Sequence, residues 1–279
     1  MICYKNGEIQ RSIAVQDRAF HYGDGCFTTA KVVHDQVQLW SKHLKRLQSA
    51  CEKLKLSCDL AVIQQSLKQL KATQAEALNG SLKIVISRGE GQRGYAFPDH
   101  AADIWLFFYP STIEQGVCES IIDQVELLDL RMGLTMPELV GIKSLNRLEQ
   151  VMLKQEASSK GLTEALVADV NDSIVEGISS NCFMRVNNRW ISPNLGYNGV
   201  HGVMRAEILA RMQQLDIACF EETITIAQLS QVDVLFFCNA LHPMQIAAHF
   251  NGRKLCTEPA QTLFKQLQLN QIDGLWLNQ

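Results

Sequence analysis

The chain has 279 residues, 47% of them apolar, enough to bury one large core or two modest ones. Its formal net charge of −3 comes from interspersed acids and bases, so no broad basic field invites nucleic acid or an anionic membrane. No apolar run approaches the ~20 residues of a bilayer span, the first residues carry no signal-like apolar stretch, and nine cysteines are scattered without a Cys-x-x-Cys pair. A cytoplasmic protein without a disulfide framework or structural zinc is the expectation.

In chain order, Asn6-Gly7 and His34-Asp35 read as hairpin turns between strand-like runs. Two helices follow, over Ser41 to Leu56 and Leu60 to Ala77; the first carries Leu44, Leu47, Cys51 and Leu54 on one side. Strands over Leu82 to Ser87 and Ile104 to Tyr109 flank a glycine-rich loop that carries Arg93. Residues 111–116 have turn chemistry and no apolar period, so they read as a linker between a small α/β domain over 1–110 and a larger domain over 117–279. The second half alternates strands, among them the buried run Val234 to Cys238, with helices near Asn146 to Lys160, Val203 to Leu215 and Pro259 to Leu267. The histidines show no metal-ligand spacing, and His201 and His242 read as hydrogen-bonding loop residues.

Lys143 falls between an extended apolar stretch and the first turn of a helix. Leu145, Leu148, Val151 and Met152 recur at helical spacing, which predicts that this helix buries one face and fixes the base of the lysine. A lysine rooted in buried structure loses ammonium solvation, and its free amine can act as nucleophile and base. Glu176 interrupts a strand-like run and precedes Gly177, Ser179 and Ser180. A carboxylate so placed can keep a pyridine nitrogen protonated, or it is simply an edge-strand residue. Gly199 to Arg205 opens a helix with the apolar stripe Met204, Ile208, Met212 and Leu215, and a glycine-flanked helix start offers free N–H groups to a phosphate. Arg46 can add a forked donor to the same phosphate, or sit on a solvated face with Lys45. Amine, carboxylate and phosphate donors are the parts a pyridoxal phosphate site needs.

Taken in order, these segments resemble the fold-type IV pyridoxal-phosphate enzymes, a family of two-domain α/β (α+β) proteins with a β-barrel-like core in the larger domain. Asp17 to Thr29 is similar to the N-terminal signature of the family's aminodeoxychorismate lyases, Ser87 to Tyr95 to their substrate loop, and Leu145 to Val151 to the run after their lysine. The resemblance covers nearly the whole chain. It implies Lys143 as the Schiff-base lysine, Glu176 as the pyridine partner, and Arg46 with the N–H groups of Val203 and Met204 on the phosphate. Asn239 and Ala240 match a second phosphate-contacting turn, where many relatives carry a hydroxyl that Ala240 lacks. Arg93 is the implied carboxylate contact, with Tyr95 and Tyr109 as lining residues and Thr29 beside the chemistry. The implied unit is a homodimer with the cofactor between the domains, and the implied reaction is 4-amino-4-deoxychorismate to 4-aminobenzoate and pyruvate. Aminotransferases for D- or branched-chain amino acids are the alternative within the family. They often carry Glu where this chain has Thr28, which leans toward the lyase. A non-catalytic binding protein of the same fold would not need both Lys143 and Glu176.

Overall fold

A computed structural model describes residues 1–111 and 119–277. By contacts the chain forms two compact units, one of Met1–Gln115, Ile142–Asn146 and Asp273–Gln279, the other of Gly116–Gly141 and Arg147–Ile272. The expected linker over 111–116 lies outside the described residues except for Ser111.

The first unit is built on β1 (Ile2–Lys5), β2 (Glu8–Ile9), the short helix α1 (Arg18–Tyr22), β3 (Gly25–Val33), β4 (Gln36–Gln38), α2 (Trp40–Leu54), α3 (Ala61–Ala72), β5 (Gly80–Ser87) and β6 (Asp103–Pro110). Asn6 and Gly7, then His34 and Asp35, take positive φ in succession, the backbone that a two-residue hairpin turn needs to match strand twist. Along β3 the even-numbered residues Cys26, Thr28, Ala30 and Val32 are buried, while Phe27, Thr29, Lys31 and Val33 are half-buried. The buried face of β3 packs with α2 and α3 packs on β6, and Leu47, Ile63, Leu67 and Leu70 of these helices are closed to solvent. The buried side of α2 is Trp40, His43, Leu47, Ala50 and Cys51, so the face is turned to take in His43 while Leu44 and Leu54 lie at its margin.

The other helix–strand series belongs to the second unit: β7 (Ser120–Val125), α4 (Leu148–Ser159), β8 (Leu166–Ala168), β9 (Ile174–Gly177), β10 (Asn181–Val186), β11 (Arg189–Pro193), α5 (Val203–Gln214), β12 (Cys219–Glu222), β13 (Val232–Cys238), β14 (Gln245–Phe250), β15 (Arg253–Lys254) and α6 (Glu258–Gln266). A sheet runs β12-β11-β10-β13-β14, with β7 parallel to β14, and β8 pairs with β9 separately. Two bridges join these sheets, Leu127 to Leu166 beyond β7 and Ser173 to Thr225 beyond β12, and so close the strands into the expected barrel-like core. Its interior holds Leu166, Ile174, Cys182, Met184, Leu235 and Phe237.

Two segments group differently from a simple division at the linker. Ile142–Asn146 belongs to the first unit because its main chain pairs with the start of β3. The last strand, β16 (Gly274–Trp276), pairs antiparallel with β4 and completes the first unit's sheet, β16-β4-β3-β5-β6-β1-β2. A third difference lies in α4. Its buried residues are Leu153 and Ala157, whereas Leu148, Val151 and Met152 are 75%, 60% and 52% exposed. The expected apolar stripe exists, but the core clusters on the other side of the helix, with Leu128, Met132, Leu162 and Val167.

Candidate active site

In the first unit the Asp17-to-Thr29 signature forms a corner that delivers β3. Asp17 caps α1 through Ala19 N–H and accepts the Ser87 hydroxyl; Gly23 ends α1 in the left-handed conformation. Asp24 then accepts from Arg18 and Arg88, each at 2.8 Å, and these two cations pull its carboxyl below the usual range against the opposing effect of its burial. Arg88 also donates to the carbonyls of Leu54 and Lys55, which ties the corner to the end of α2.

Lys143 is rooted on this strand. Phe27 N–H donates to Lys143 O at 2.9 Å, Leu145 N–H to Gly25 O at 3.1 Å, and Cys26 and Ser144 form a bridge. The lysine's base is thus fixed by β3 rather than by the predicted face of α4. Its Nζ lies 4.8 Å from the Phe27 ring centroid. Lys83, opposite Thr29 on β5, places its own Nζ 4.9 Å from the same ring, and burial lowers its pKa. Phe27, Thr29 and Lys83 share the half-buried face of the sheet, with Phe107 and Tyr109 in register on β6.

The opposite face of β3 carries Thr28. Its Oγ1 lies 2.6 Å from His43 Nδ1 and receives Arg46 Nη1 at 3.4 Å. Arg46 is therefore half-buried beside β3, not on a solvated face. Arg93 and Tyr95 sit on an exposed loop, Tyr95 83% exposed with its ring 5.4 Å from that of Tyr22, and Arg18 donates to the neighbouring Gly94 carbonyl at 2.8 Å.

In the second unit Glu176 is buried at the end of β9, and its Oε2 accepts from Asn181 Nδ2 at 3.1 Å and Val200 N–H at 3.0 Å. Asn181 also donates to Val200 O, so the carboxylate and the approach to α5 are held together. Two glycines make this possible. Gly199 has φ +77°, and a Cβ there would press on Val175 and Leu195; one on Gly202 would collide with the Asn181 amide. Glu164, whose carboxyl burial pushes up, accepts from Ile178 N–H and Ser180 Oγ, each at 2.6 Å, and fixes the turn between Glu176 and Asn181. Val203 and Met204 form the first turn of α5, which Arg205 anchors through Ser192 and Glu221.

Asn239 lies in the turn after β13. Its Oδ1 accepts from Leu241 and His242 N–H, Nδ2 lies 3.5 Å from Ser179 O, and its own N–H goes to His242 O. His201 is a hydrogen-bonding loop residue, its Nε2 3.3 Å from Leu195 O.

Asn181, Glu164, His43 and Arg147 had no site role in the sequence reading. A signal existed for Asn181, because an Asn five residues after a Glu is brought back toward it by the tight turn that Gly177 N–H closes on Ser180 O. Arg147 is partly buried, and burial lowers its pKa while Glu176 and Glu149 pull it up, which places a guanidinium within electrostatic range of Glu176.

Each unit carries parts that suit a phosphorylated pyridine aldehyde: the first an amine rooted on a strand, the second a buried acceptor for a ring N–H and a helix start cleared by glycine. Comparison with known proteins gives the same class. The amino-transferase class IV family model matches residues 25–250. An aminodeoxychorismate lyase of Vibrio harveyi is 29% identical over 85% of this chain and 86% of its own length. A D-alanine aminotransferase of Bacillus licheniformis is 22% identical over 92% of this chain and 89% of its own. Among solved structures, a 4-amino-4-deoxychorismate lyase of Pseudomonas aeruginosa is 30% identical with TM-score 0.85, covering 96% of this chain and 99% of that one. A branched-chain amino acid aminotransferase of Escherichia coli matches the fold at TM-score 0.84 and 18% identity, covering 100% and 99%.

Proposed function

This chain belongs to the aminotransferase class IV family, and from that premise we propose that it is a pyridoxal-phosphate-dependent lyase converting 4-amino-4-deoxychorismate to 4-aminobenzoate and pyruvate, a step that supplies folate synthesis. The observation that carries this reading is the 29–30% identity to two aminodeoxychorismate lyases over most of each chain, against 18–22% for the aminotransferases compared above. Thr28, in place of the Glu that aminotransferases often carry, supports it.

When bound, the cofactor supplies an electron sink for the charge left by proton removal. Lys143 would hold the cofactor, and its free Nζ would take the proton from the amine-bearing carbon of the substrate. Glu176, with Oε2 already held by Asn181 and Val200, would offer a fixed acceptor to the ring N–H and so favour the protonated ring. Arg46 and the N–H groups of Val203 and Met204 would hold the phosphate, with the Asn239 amide and the Ala240 N–H as further donors. Enolpyruvate leaves as the carbon–oxygen bond breaks, and aromatisation of the substrate ring drives the step. Thr29, on the face of β3 that carries Phe27, lines the reacting region, and Arg93 with Tyr95 and Tyr109 receives the substrate's carboxylates.

The enzyme acts in the cytosol as a homodimer in this reading. Among the described residues, no helix is long and apolar enough to cross a membrane. The exposed Leu148, Val151 and Met152 of α4, continued by Leu134 and Met136 where Gly133 N–H meets Glu149, form a face that a second copy would cover. Leu148→Glu is expected to shift the protein toward monomer in light scattering; an unchanged mass would show that this face is not the interface.

Incubation with aminodeoxychorismate tests the reaction. Equal amounts of 4-aminobenzoate and pyruvate, with the cofactor remaining as pyridoxal phosphate, are expected. Accumulation of pyridoxamine phosphate with D-alanine or leucine, and no 4-aminobenzoate, would make the protein an aminotransferase instead.

A further inference from the structure

Three polar side chains of the first unit meet where β3 packs with α2. Thr28 is 0% exposed, His43 is 1% exposed, and Arg46 follows His43 by three residues, on the same side of α2. A guanidinium has no acceptor, so Thr28 Oγ1 must accept from Arg46 Nη1. Oγ1 keeps its hydrogen for His43 Nδ1, 2.6 Å away, when the neutral ring is assigned as the Nε2–H tautomer. Burial, and next the positive Arg46, push the pKa of His43 down to about 3, so the ring remains an acceptor at neutral pH. With that tautomer the donors run one way, from Arg46 to Thr28 to His43.

We propose that Thr28 and His43 are positioning residues for Arg46, holding its guanidinium in the orientation that receives the cofactor phosphate. The inference rests on the assignment of Arg46 to the phosphate made above. An arginine side chain loses rotamer freedom when it is fixed, and fixing it during folding removes part of that cost from binding. Thr28 and His43 are both neutral, so neither cancels the charge that a phosphate dianion would meet. A carboxylate at position 28 would pair with Arg46 and weaken that attraction. Thr28 thus acts through the buried face of β3, while Phe27 and Thr29 on either side of it face the other way.

Apo-protein titrated in parallel with pyridoxal phosphate and with pyridoxal, which has no phosphate, tests the proposal. Thr28→Val should weaken pyridoxal phosphate about tenfold and leave pyridoxal within about twofold, and Thr28→Ser should restore the difference. On an Arg46→Ala background Thr28→Val should cost nothing further, because the two act as one unit. If Thr28→Val does not fold, His43→Leu and His43→Asn carry the same comparison: the Asn Oδ1 can accept from Thr28, the leucine cannot. Equal loss of both ligands, or a full additional loss on the Arg46→Ala background, would overturn the proposal and leave Thr28 a packing residue. If Arg46→Ala itself leaves the ratio of the two affinities unchanged, the phosphate assignment fails. If Arg46→Ala changes the ratio and Thr28→Val does not, only the positioning role fails.

Discussion

Where Lys143 is anchored through its backbone, by Phe27 N–H on its carbonyl and by the bridge between Cys26 and Ser144, Glu176 is anchored through its carboxylate, whose Oε2 accepts from Asn181 and Val200. The two arrangements suit different tasks. A nucleophile that must bind a cofactor, release it and then carry a proton needs a fixed root and a head able to turn. A group that sets the protonation of a ring atom needs a fixed head. The first unit therefore spends its hydrogen bonds on the strand, and the second spends them on the side chain.

The sharpest break in this comparison is at Lys143. Lys143→Ala should lower kcat by at least about 10³-fold, because no other group in the account is assigned to proton transfer at carbon. Stopped-flow turnover of aminodeoxychorismate measures it, and a loss below about tenfold would transfer the role to another amine. A smaller effect follows at the fixed head. Asn181→Ala leaves Glu176 Oε2 with one of its two donors described here and should cost roughly 1–3 kcal/mol in kcat/KM, while Asn181→Asp should cost more by setting two carboxylates together. Unchanged kinetics for both would show that the carboxylate needs no clamp.

Much of this was legible from the sequence, and the parts that were not share a cause. The two hairpin turns announce themselves because Asn-Gly and His-Asp accept positive φ locally. The order of lysine, glutamate and helix start is likewise a local signal. Which face of α4 is covered is not local: the period of Leu148, Val151 and Met152 marks a stripe, but the cluster around Leu153 and Ala157 lies elsewhere. The return of β16 to β4 depends on a pairing across more than two hundred residues and leaves no periodic trace. His43 reads as one polar residue among apolar neighbours until β3 brings Thr28 against it. The Asn239 Oδ1 folds back on its own turn, a local preference of Asn.

The smallest expected effect sharpens the account of the first unit. The unfolded chain protonates His43 near pH 6.5, whereas the folded protein does so only at about 3. Stability from this group is complete above pH 6.5 and is lost as pH falls toward 3, amounting to about 2 kcal/mol by pH 5. Urea unfolding at pH 8 and pH 5 should therefore show wild type losing about 2 kcal/mol more than His43→Asn. Equal losses would mean that the histidine is hydrated or charged in the folded protein.

Two amines stand near the Phe27 ring, Lys143 Nζ at 4.8 Å from its centroid and Lys83 Nζ at 4.9 Å, and only one of them is assigned to the cofactor. Borohydride reduction of the holoenzyme, followed by digestion and mass spectrometry, distinguishes them. A phosphopyridoxyl group on the peptide containing Lys143, absent from Lys143→Ala, is the predicted result. The same label on Lys83, or no label on any lysine, would contradict it.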